Sequence, residues 1–229
     1  MPEEIIRRKR RLSSFQIKLL FQSDSITDAD RVRENPLDLG TGCPYYAAQL
    51  LRAQHPDVDF TFWNRGIGCD ETQHLLARIE TDLIALQPDV VSLLIGINDT
   101  WHHADARDWM PLSVFEARYR EILERIRSET NAKLMIIEQY LFPVPDKTYF
   151  AEDLAPKQAC VRALAMEYAD VFLPAHELAQ QAAAARGSGT FTADGVHLNE
   201  TGALAGRGLC ESDCAAVLSR AVSKPLYSQ

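Results

Sequence analysis

Two polar motifs, far apart in the sequence, contain the side chains that acyl transfer needs. Ser25 lies in the run Ser-Asp-Ser-Ile-Thr at positions 23–27, and Asp194 precedes His197 by three positions. A carboxylate so close to an imidazole can bind one ring nitrogen and leave the other free to take a proton from a serine hydroxyl. Each motif alone has a second interpretation, because Ser25 can cap a helix and the Asp194/His197 pair can stabilise a surface loop.

The elements that must position these side chains are predicted from hydropathy patterning. Short apolar runs rich in β-branched residues alternate with stretches of helical period, which is typical of βα units around a parallel sheet. Strands are predicted over residues 17–22, 58–64, 90–96, 133–140 and 171–174. Helices are predicted over about residues 43–54, 71–86, 113–129, 155–169, 176–186 and 200–221. The predicted fold is therefore α/β, a three-layer α/β/α sandwich with a five-stranded parallel sheet.

Polar residues follow the first three predicted strands. Ser25 comes after the first, the run Gly68-Cys69-Asp70 after the second, and Gly96-Ile97-Asn98-Asp99 after the third. The Asp194/His197 motif comes beyond the last strand and before the last predicted helix. In an open parallel sheet, ligands bind beyond the carboxyl ends of the strands. Nucleophile, amide-rich loops and acid/base pair are thus expected at one edge, as acyl transfer requires.

Together these four segments resemble the blocks of the GDSL/SGNH hydrolases, which carry Ser, Gly, Asn and His in that order. Ser25 matches the first block, Asn98 the third, and Asp194 with His197 the last. The resemblance implies a flavodoxin-like sheet and ester hydrolysis without metal or cofactor, with Ser25, Asp194 and His197 as catalytic residues. It also implies an oxyanion hole formed by the amides of Ser25 and Cys69 and the side chain of Asn98.

Two residues depart from the family pattern. Ser23 stands where the first block has glycine, which is expected to change the packing of the turn more than the chemistry. Cys69 stands where the second block has the glycine of the oxyanion hole. A Cβ there can narrow the pocket, or strain the loop if φ is positive. An alternative alignment makes Gly68 the donor, and Cys69 itself is either an inert cysteine or a reactive thiol.

Several neighbouring side chains are candidates for the substrate pocket. Asp24, Gly68 and Trp101 are predicted to line it, although Asp24 can equally cap a helix and Trp101 can cover the core instead of stacking on a sugar ring. Asp99 is expected either to orient Asn98 or to cap the helix that follows. No carboxylate completes a metal-ligand set with the adjacent histidines at 102 and 103.

Composition narrows the partners and the cellular compartment that are expected. The 229 residues carry a formal net charge of -8, so no overall positive field favours nucleic acid. Five scattered cysteines, an odd number, indicate a reducing compartment rather than a disulfide framework. Residues 1–14 form a basic extension without the features of a signal peptide or a membrane span, and residues 15–229 form one domain. A cytoplasmic protein without membrane partners, with a homo-oligomer possible, is expected.

The segments around residues 38–42 and 95–101 look most like the bacterial acetylxylan-esterase-like branch of the family. This resemblance implies hydrolysis of small carboxylic esters through an acyl-enzyme, with acetyl groups on saccharides as substrate. One alternative is a lysophospholipase or thioesterase, since the family scaffold supports several activities. Another is a carbohydrate-binding protein whose catalysis is impaired by the two substitutions.

Overall fold

A parallel sheet positions the candidate site. The computed structural model describes residues 15–199, and in this range five strands form one sheet in the order β2-β1-β3-β4-β5. The strands are β1 (Phe15–Ser23), β2 (Val58–Gly66), β3 (Val90–Leu94), β4 (Lys133–Ile137) and β5 (Val171–Leu173). All neighbouring pairs are parallel. This is the flavodoxin-like strand order, in which ligands bind where the order reverses, beside β1 and β3.

Helices connect the strands. Within residues 15–199 they are α1 (Ser25–Asp28), α2 (Cys43–Gln54), α3 (Thr72–Asp82), α4 (Asn98–Ala104), α5 (Leu112–Glu129), α6 (Ala151–Tyr168) and α7 (Ala175–Arg186). Short 3-10 helices span Ile84–Leu86, Pro145–Phe150 and Ser188–Thr190. None of the helices in this part of the chain is long and apolar enough to cross a membrane.

Two apolar cores lie on opposite faces of the sheet, because successive side chains of a strand point to opposite sides. Leu19 and Phe21 of β1 pack in one core with residues of α2 and α7. Leu20, between them, packs in the other core with residues of α3, α5 and α6. The predicted three-layer α/β/α sandwich is thus confirmed. The apolar stripe of α5 is fully buried, as its period indicates, at Phe115, Tyr119, Ile122 and Ile126.

The boundaries of several elements differ from prediction. β3 ends at Leu94 and not at residue 96, because the chain turns at Gly96 with φ +120°, and a Cβ there would lie 3.1 Å from the Phe115 ring. β4 ends at Ile137, three residues before the predicted end. α6 begins at Ala151 and contains Pro156, whereas the prediction began the helix at residue 155. The basic extension at 1–14 and the predicted helix at 200–221 lie outside the described residues.

Candidate active site

The end of β1 delivers Ser25 to the first position of a helix. Asp24 is the N-cap of α1, and its Oδ1 accepts a hydrogen bond from the amide of Ile26 at 3.0 Å. The end of β2 packs directly against this turn, since a Cβ on Gly66 would lie only 2.5 Å from the amide nitrogen of Asp28. Glycine at this position therefore allows the two strand ends that carry the site to approach one another.

Ser25, His197 and Asp194 form a continuous chain of hydrogen bonds. Ser25 Oγ lies 2.7 Å from His197 Nε2, and His197 Nδ1 lies 2.6 Å from Asp194 Oδ2. The other oxygen of Asp194 accepts the amides of Val196 at 2.9 Å and His197 at 2.8 Å. Both oxygens of the carboxylate are thus used to orient the imidazole. Residues 172 positions apart in the sequence meet at the carboxyl edge of the sheet.

The loop that carries His197 is packed against the connection after β4. Gly195 has φ +88°, and a Cβ there would lie 2.8 Å from Val144 Cγ2. Its carbonyl accepts the amide of Phe142 at 2.8 Å. A side chain at this position would strain the backbone and clash with residue 144, so glycine is required for the loop to hold the histidine in place.

The Asp194 carboxylate stays ionised at neutral pH. Partial burial alone would raise its pKa, but hydrogen bonds from the His197 ring and from the amides of Val196 and His197 outweigh burial and hold the pKa at about 2. An ionised carboxylate accepts the Nδ1 hydrogen of the imidazole, so the tautomer consistent with these contacts leaves Nε2 free to accept the serine proton. This is the tautomer that a general base needs.

The loop after β2 presents one unused amide beside Ser25. Residues 67–70 form a turn in which the amide of Asp70 donates to the carbonyl of Ile67 at 3.2 Å. The amide of Gly68 donates to Asp28 Oδ2 at 3.1 Å, whereas the amide of Cys69 has no acceptor among residues 15–199. This difference favours Cys69 over Gly68 as the oxyanion donor. The backbone of Cys69 is strained at this position, because its φ of +68° lies in the left-handed region that favours glycine.

Asn98 contributes a buried side-chain amide at the first turn of α4. Its Nδ2 donates to the carbonyl of Asp70 at 3.0 Å, which uses one of its two hydrogens. The expectations for Asp99 are wrong: it neither orients the Asn98 side chain nor caps α4. Its carboxylate instead accepts the amide of Thr72 at 3.0 Å and the Thr72 hydroxyl at 2.5 Å. Asp99 therefore joins α4 to the start of α3 and so to the loop of Cys69.

Asp24 and Gly68 differ in their access to substrate. Asp24 has no exposed surface, so the expectation that it lines the pocket is wrong. Burial raises its pKa to about 7, against the lowering effects of the Ile26 amide and of His197. Gly68 is half-buried, and a Cβ there would be 3.8 Å from Ser25 Cβ and 3.7 Å from Arg33 Nη2. Gly68 thus borders the nucleophile.

Trp101 both covers the core and flanks the histidine. Its ring centroid lies 6.0 Å from that of Phe150 and 5.8 Å from that of His197. Lys147 Nζ lies 5.0 Å from the centre of the Trp101 ring, within the range of a cation–π interaction. The indole therefore forms a wall of the site on the His197 side, supported from behind by the 3-10 helix at Pro145–Phe150.

Sequence patterns missed several residues that hold these loops together. Arg78 on α3 donates to Asp70 Oδ2 at 2.7 Å and to the Ser23 carbonyl at 3.0 Å, and so joins the ends of β1 and β2. Asn64 donates to the carbonyls of Thr27 and Leu39. No periodicity distinguishes these residues from other polar residues. Within residues 15–199, no cluster of His, Cys, Asp or Glu is arranged to hold a metal ion.

Comparisons with known proteins show which proteins this chain is similar to. A curated acetylxylan esterase from Geobacillus stearothermophilus is 39% identical over 117 residues, which is 49% of this chain and 53% of the relative, about half the length of each. A crystal structure of an acetylxylan esterase from the same organism is 26% identical, covering 92% of this chain and 95% of that chain with a TM-score of 0.78.

A third comparison concerns a catalytic mutant of that esterase in which a serine is replaced by alanine. It is 25% identical, covers 94% of this chain and 99% of that chain, and has a TM-score of 0.78. The family model of the GDSL-like lipases and acylhydrolases matches residues 24–205, a range that contains Ser25, Cys69, Asn98, Asp194 and His197. The chain belongs to the GDSL-like lipase/acylhydrolase family.

Proposed function

We propose that this protein is a serine esterase that removes acetyl groups from carbohydrates through an acyl-enzyme intermediate. The hydrogen-bonded chain from Ser25 through His197 to Asp194 carries the proposal, because it joins a nucleophile, a base and an orienting carboxylate. The acetylxylan esterases that this chain resembles support the choice of substrate. Trp101 beside His197 offers an aromatic wall of the kind that packs against sugar rings.

The first half of the reaction forms the acyl-enzyme. Ser25 Oγ attacks the ester carbonyl while His197 Nε2 takes the hydroxyl proton, and Asp194 stabilises the imidazolium that results. The carbonyl oxygen becomes an oxyanion. His197 then gives its proton to the leaving alcohol oxygen as the ester C–O bond breaks, and the acetyl group remains on Ser25.

The oxyanion has three donors in this proposal. The amides of Ser25 and Cys69 have no acceptor among residues 15–199, and Asn98 retains one hydrogen of its side-chain amide. Each donor is worth about 3 to 4 kcal/mol in the transition state of acyl transfer. In the second half, His197 deprotonates a water molecule that attacks the acetyl carbonyl. His197 then returns this proton to Ser25 Oγ as the bond between Oγ and the acetyl carbon breaks, and acetate leaves.

A fluorophosphonate probe tests the nucleophile. We expect labelling of the wild type at Ser25, and loss of both labelling and ester hydrolysis in Ser25→Ala, by at least about 10⁴-fold in kcat. Ser128→Ala is a matched control, because Ser128 is an exposed serine that donates to the carbonyl of Glu124 on α5. Folded wild-type protein that binds acetylated oligosaccharide but takes no label would instead be a binding protein.

A substrate panel tests the finer proposal. Acetylated xylo-oligosaccharides are compared with short-chain and long-chain acyl esters and with acyl thioesters at equal concentration. We expect the highest kcat/KM on the acetylated saccharides. A higher kcat/KM on long acyl chains or thioesters would replace the proposal with a lysophospholipase or thioesterase.

A further inference from the structure

A lysine is buried beneath the oxyanion side of the site. Lys157 on α6 has no exposed surface, and its Nζ lies 5.6 Å from the centre of the Phe115 ring. It forms an ion pair with Asp153, one turn earlier on the same helix, whose side chain is 8% exposed. Lysine is almost never fully buried unless it is paired. The triad and the oxyanion donors do not use this lysine, so its presence requires another explanation.

Stability alone is a poor explanation for such a pair. Removing two charges from water costs several kcal/mol for each ion, and replacement of a buried ion pair by apolar residues is often neutral or stabilising. What a satisfied buried network does provide is a single geometry for the groups that it contacts. The question is therefore which part of the chain Lys157 and Asp153 hold in place.

Both side chains hold the first turn of α4. Lys157 Nζ donates to the backbone carbonyl of Asp99 at 2.7 Å and lies 3.4 Å from Thr100 Oγ1. The Thr100 hydroxyl donates to Asp153 Oδ2 at 2.6 Å. Asp99 and Thr100 come directly after Asn98 in the sequence. Lys157, which is 58 positions away from Asp99 in the sequence, thus fixes the backbone that carries the Asn98 side chain.

The same turn is also joined to the loop of Cys69. The Asp99 carboxylate accepts two hydrogen bonds from Thr72 at the start of α3, and Asn98 Nδ2 donates to the carbonyl of Asp70. The contacts therefore run from Lys157 through Asp99 and Thr72 to the loop that carries the Cys69 amide. Two of the three proposed oxyanion donors are held relative to each other by this network.

We infer that Lys157, together with Asp153, is a positioning residue for the oxyanion hole, which fixes the first turn of α4 so that Asn98 and the Cys69 loop keep their spacing. The inference rests on the proposed esterase function. Lys157 touches no reacting atom and acts through Asp99. Donors must lie within hydrogen-bond distance of the developing oxyanion, so a displacement of about 1 Å in α4 lowers transition-state binding more than substrate binding.

A double-mutant cycle with Asn98 tests this role. The pair variant Lys157→Met/Asp153→Asn removes both charges and retains an acceptor for the Thr100 hydroxyl. We expect kcat on an acetyl ester to fall about 10- to 100-fold with KM changed less than about threefold, which is the signature of an interaction made in the transition state. In an Asn98→Ala background, the same pair should lower kcat by a clearly smaller factor than in the wild type, because one of the two donors that it positions is already gone.

The control is a second ion pair that involves α6, in which the carboxylate is buried and the arginine side chain is 49% exposed. Arg162 of α6 pairs with Glu138 at 2.6 Å, and the Glu138 carboxyl accepts the amide of His176 at the start of α7. We expect Arg162→Met/Glu138→Gln to lower kcat equally in the wild-type and Asn98→Ala backgrounds, by less than about threefold. If the loss of kcat came from general destabilisation of α6, both pair variants would show it alike.

Several outcomes overturn the inference. It is wrong if the Lys157 pair variant keeps kcat within about threefold of the wild type, or if its loss is the same with and without Asn98. If the pair variant does not unfold cooperatively, Thr100→Val replaces it in the cycle with an expected three- to tenfold loss, about one hydrogen bond. A wild type that hydrolyses no ester and takes no fluorophosphonate would instead overturn the proposed function, and this inference with it.

Discussion

We expect the Asp24→Asn substitution to stabilise the protein at alkaline pH and to change its stability little at acidic pH. Asp24 has no exposed surface, and its Oδ2 has no hydrogen-bond partner among the described residues. Burial of this kind penalises the ionised form, and it raises the pKa to about 7 from an ordinary value of 3.8. Asparagine keeps an oxygen that can accept the Ile26 amide, as Asp24 Oδ1 does, but it cannot ionise.

The sign follows from proton linkage. The folded protein binds the Asp24 proton more tightly than the unfolded chain does, so the stability linked to this proton is fully present below about pH 4 and is lost as the pH rises to about 7. The whole pKa rise corresponds to about 4 kcal/mol in the free energy of unfolding. About 3 kcal/mol of this falls between about pH 5 and about pH 8.5.

Urea unfolding of the wild type and Asp24→Asn at these two pH values measures the effect. Taking the difference between the two proteins cancels the titration of groups that both contain. The variant should gain about 3 kcal/mol relative to the wild type from the lower to the higher pH. Asp38→Asn is the control, because hydrogen bonds from the amides of Val32 and Gly40 lower the pKa of that exposed carboxyl, and its removal should give no gain at high pH. Parallel profiles for Asp24→Asn and the wild type, within about 1 kcal/mol, would refute the reasoning.

Two further predictions concern the catalytic loops. Cys69→Gly should stabilise the protein by about 1 kcal/mol in urea unfolding, because a φ of +68° strains a residue that has a Cβ but not glycine. We expect kcat/KM to change less than about threefold, because the backbone donor remains. Destabilisation, or a large loss of activity, would show that the thiol itself contributes. Asp194→Asn should lower kcat about 10⁴-fold with folding retained, since an amide at the position of Oδ2 donates to His197 Nδ1 and moves the ring hydrogen to Nε2. A loss below about tenfold in steady-state kinetics would contradict this role.

Much of the fold could be predicted because its signals are local. Central parallel strands are buried on both faces and appear as short apolar runs, and all five predicted strands overlap the observed ones. The predicted helix ranges do not include α1 and α4, because elements of four and seven residues are too short to show a helical period. The ends of β3 and β4 were placed too late because apolar character continues past the point where the backbone turns.

The sequence alone identified the residue types of the candidate site and the family to which the chain belongs, because the four polar blocks follow the strands in an order that can be read directly. Tertiary structure decided which groups remain available for chemistry. The Gly68 amide binds Asp28, 40 positions away, whereas the Cys69 amide, the proposed oxyanion donor, has no acceptor among residues 15–199. The Asp99 carboxylate accepts a hydrogen bond from Thr72, and Lys157 lies beneath α4, where it donates to the Asp99 carbonyl. Hydrogen-bond partners and desolvation depend on what packs beside a residue in space, and no local pattern encodes that.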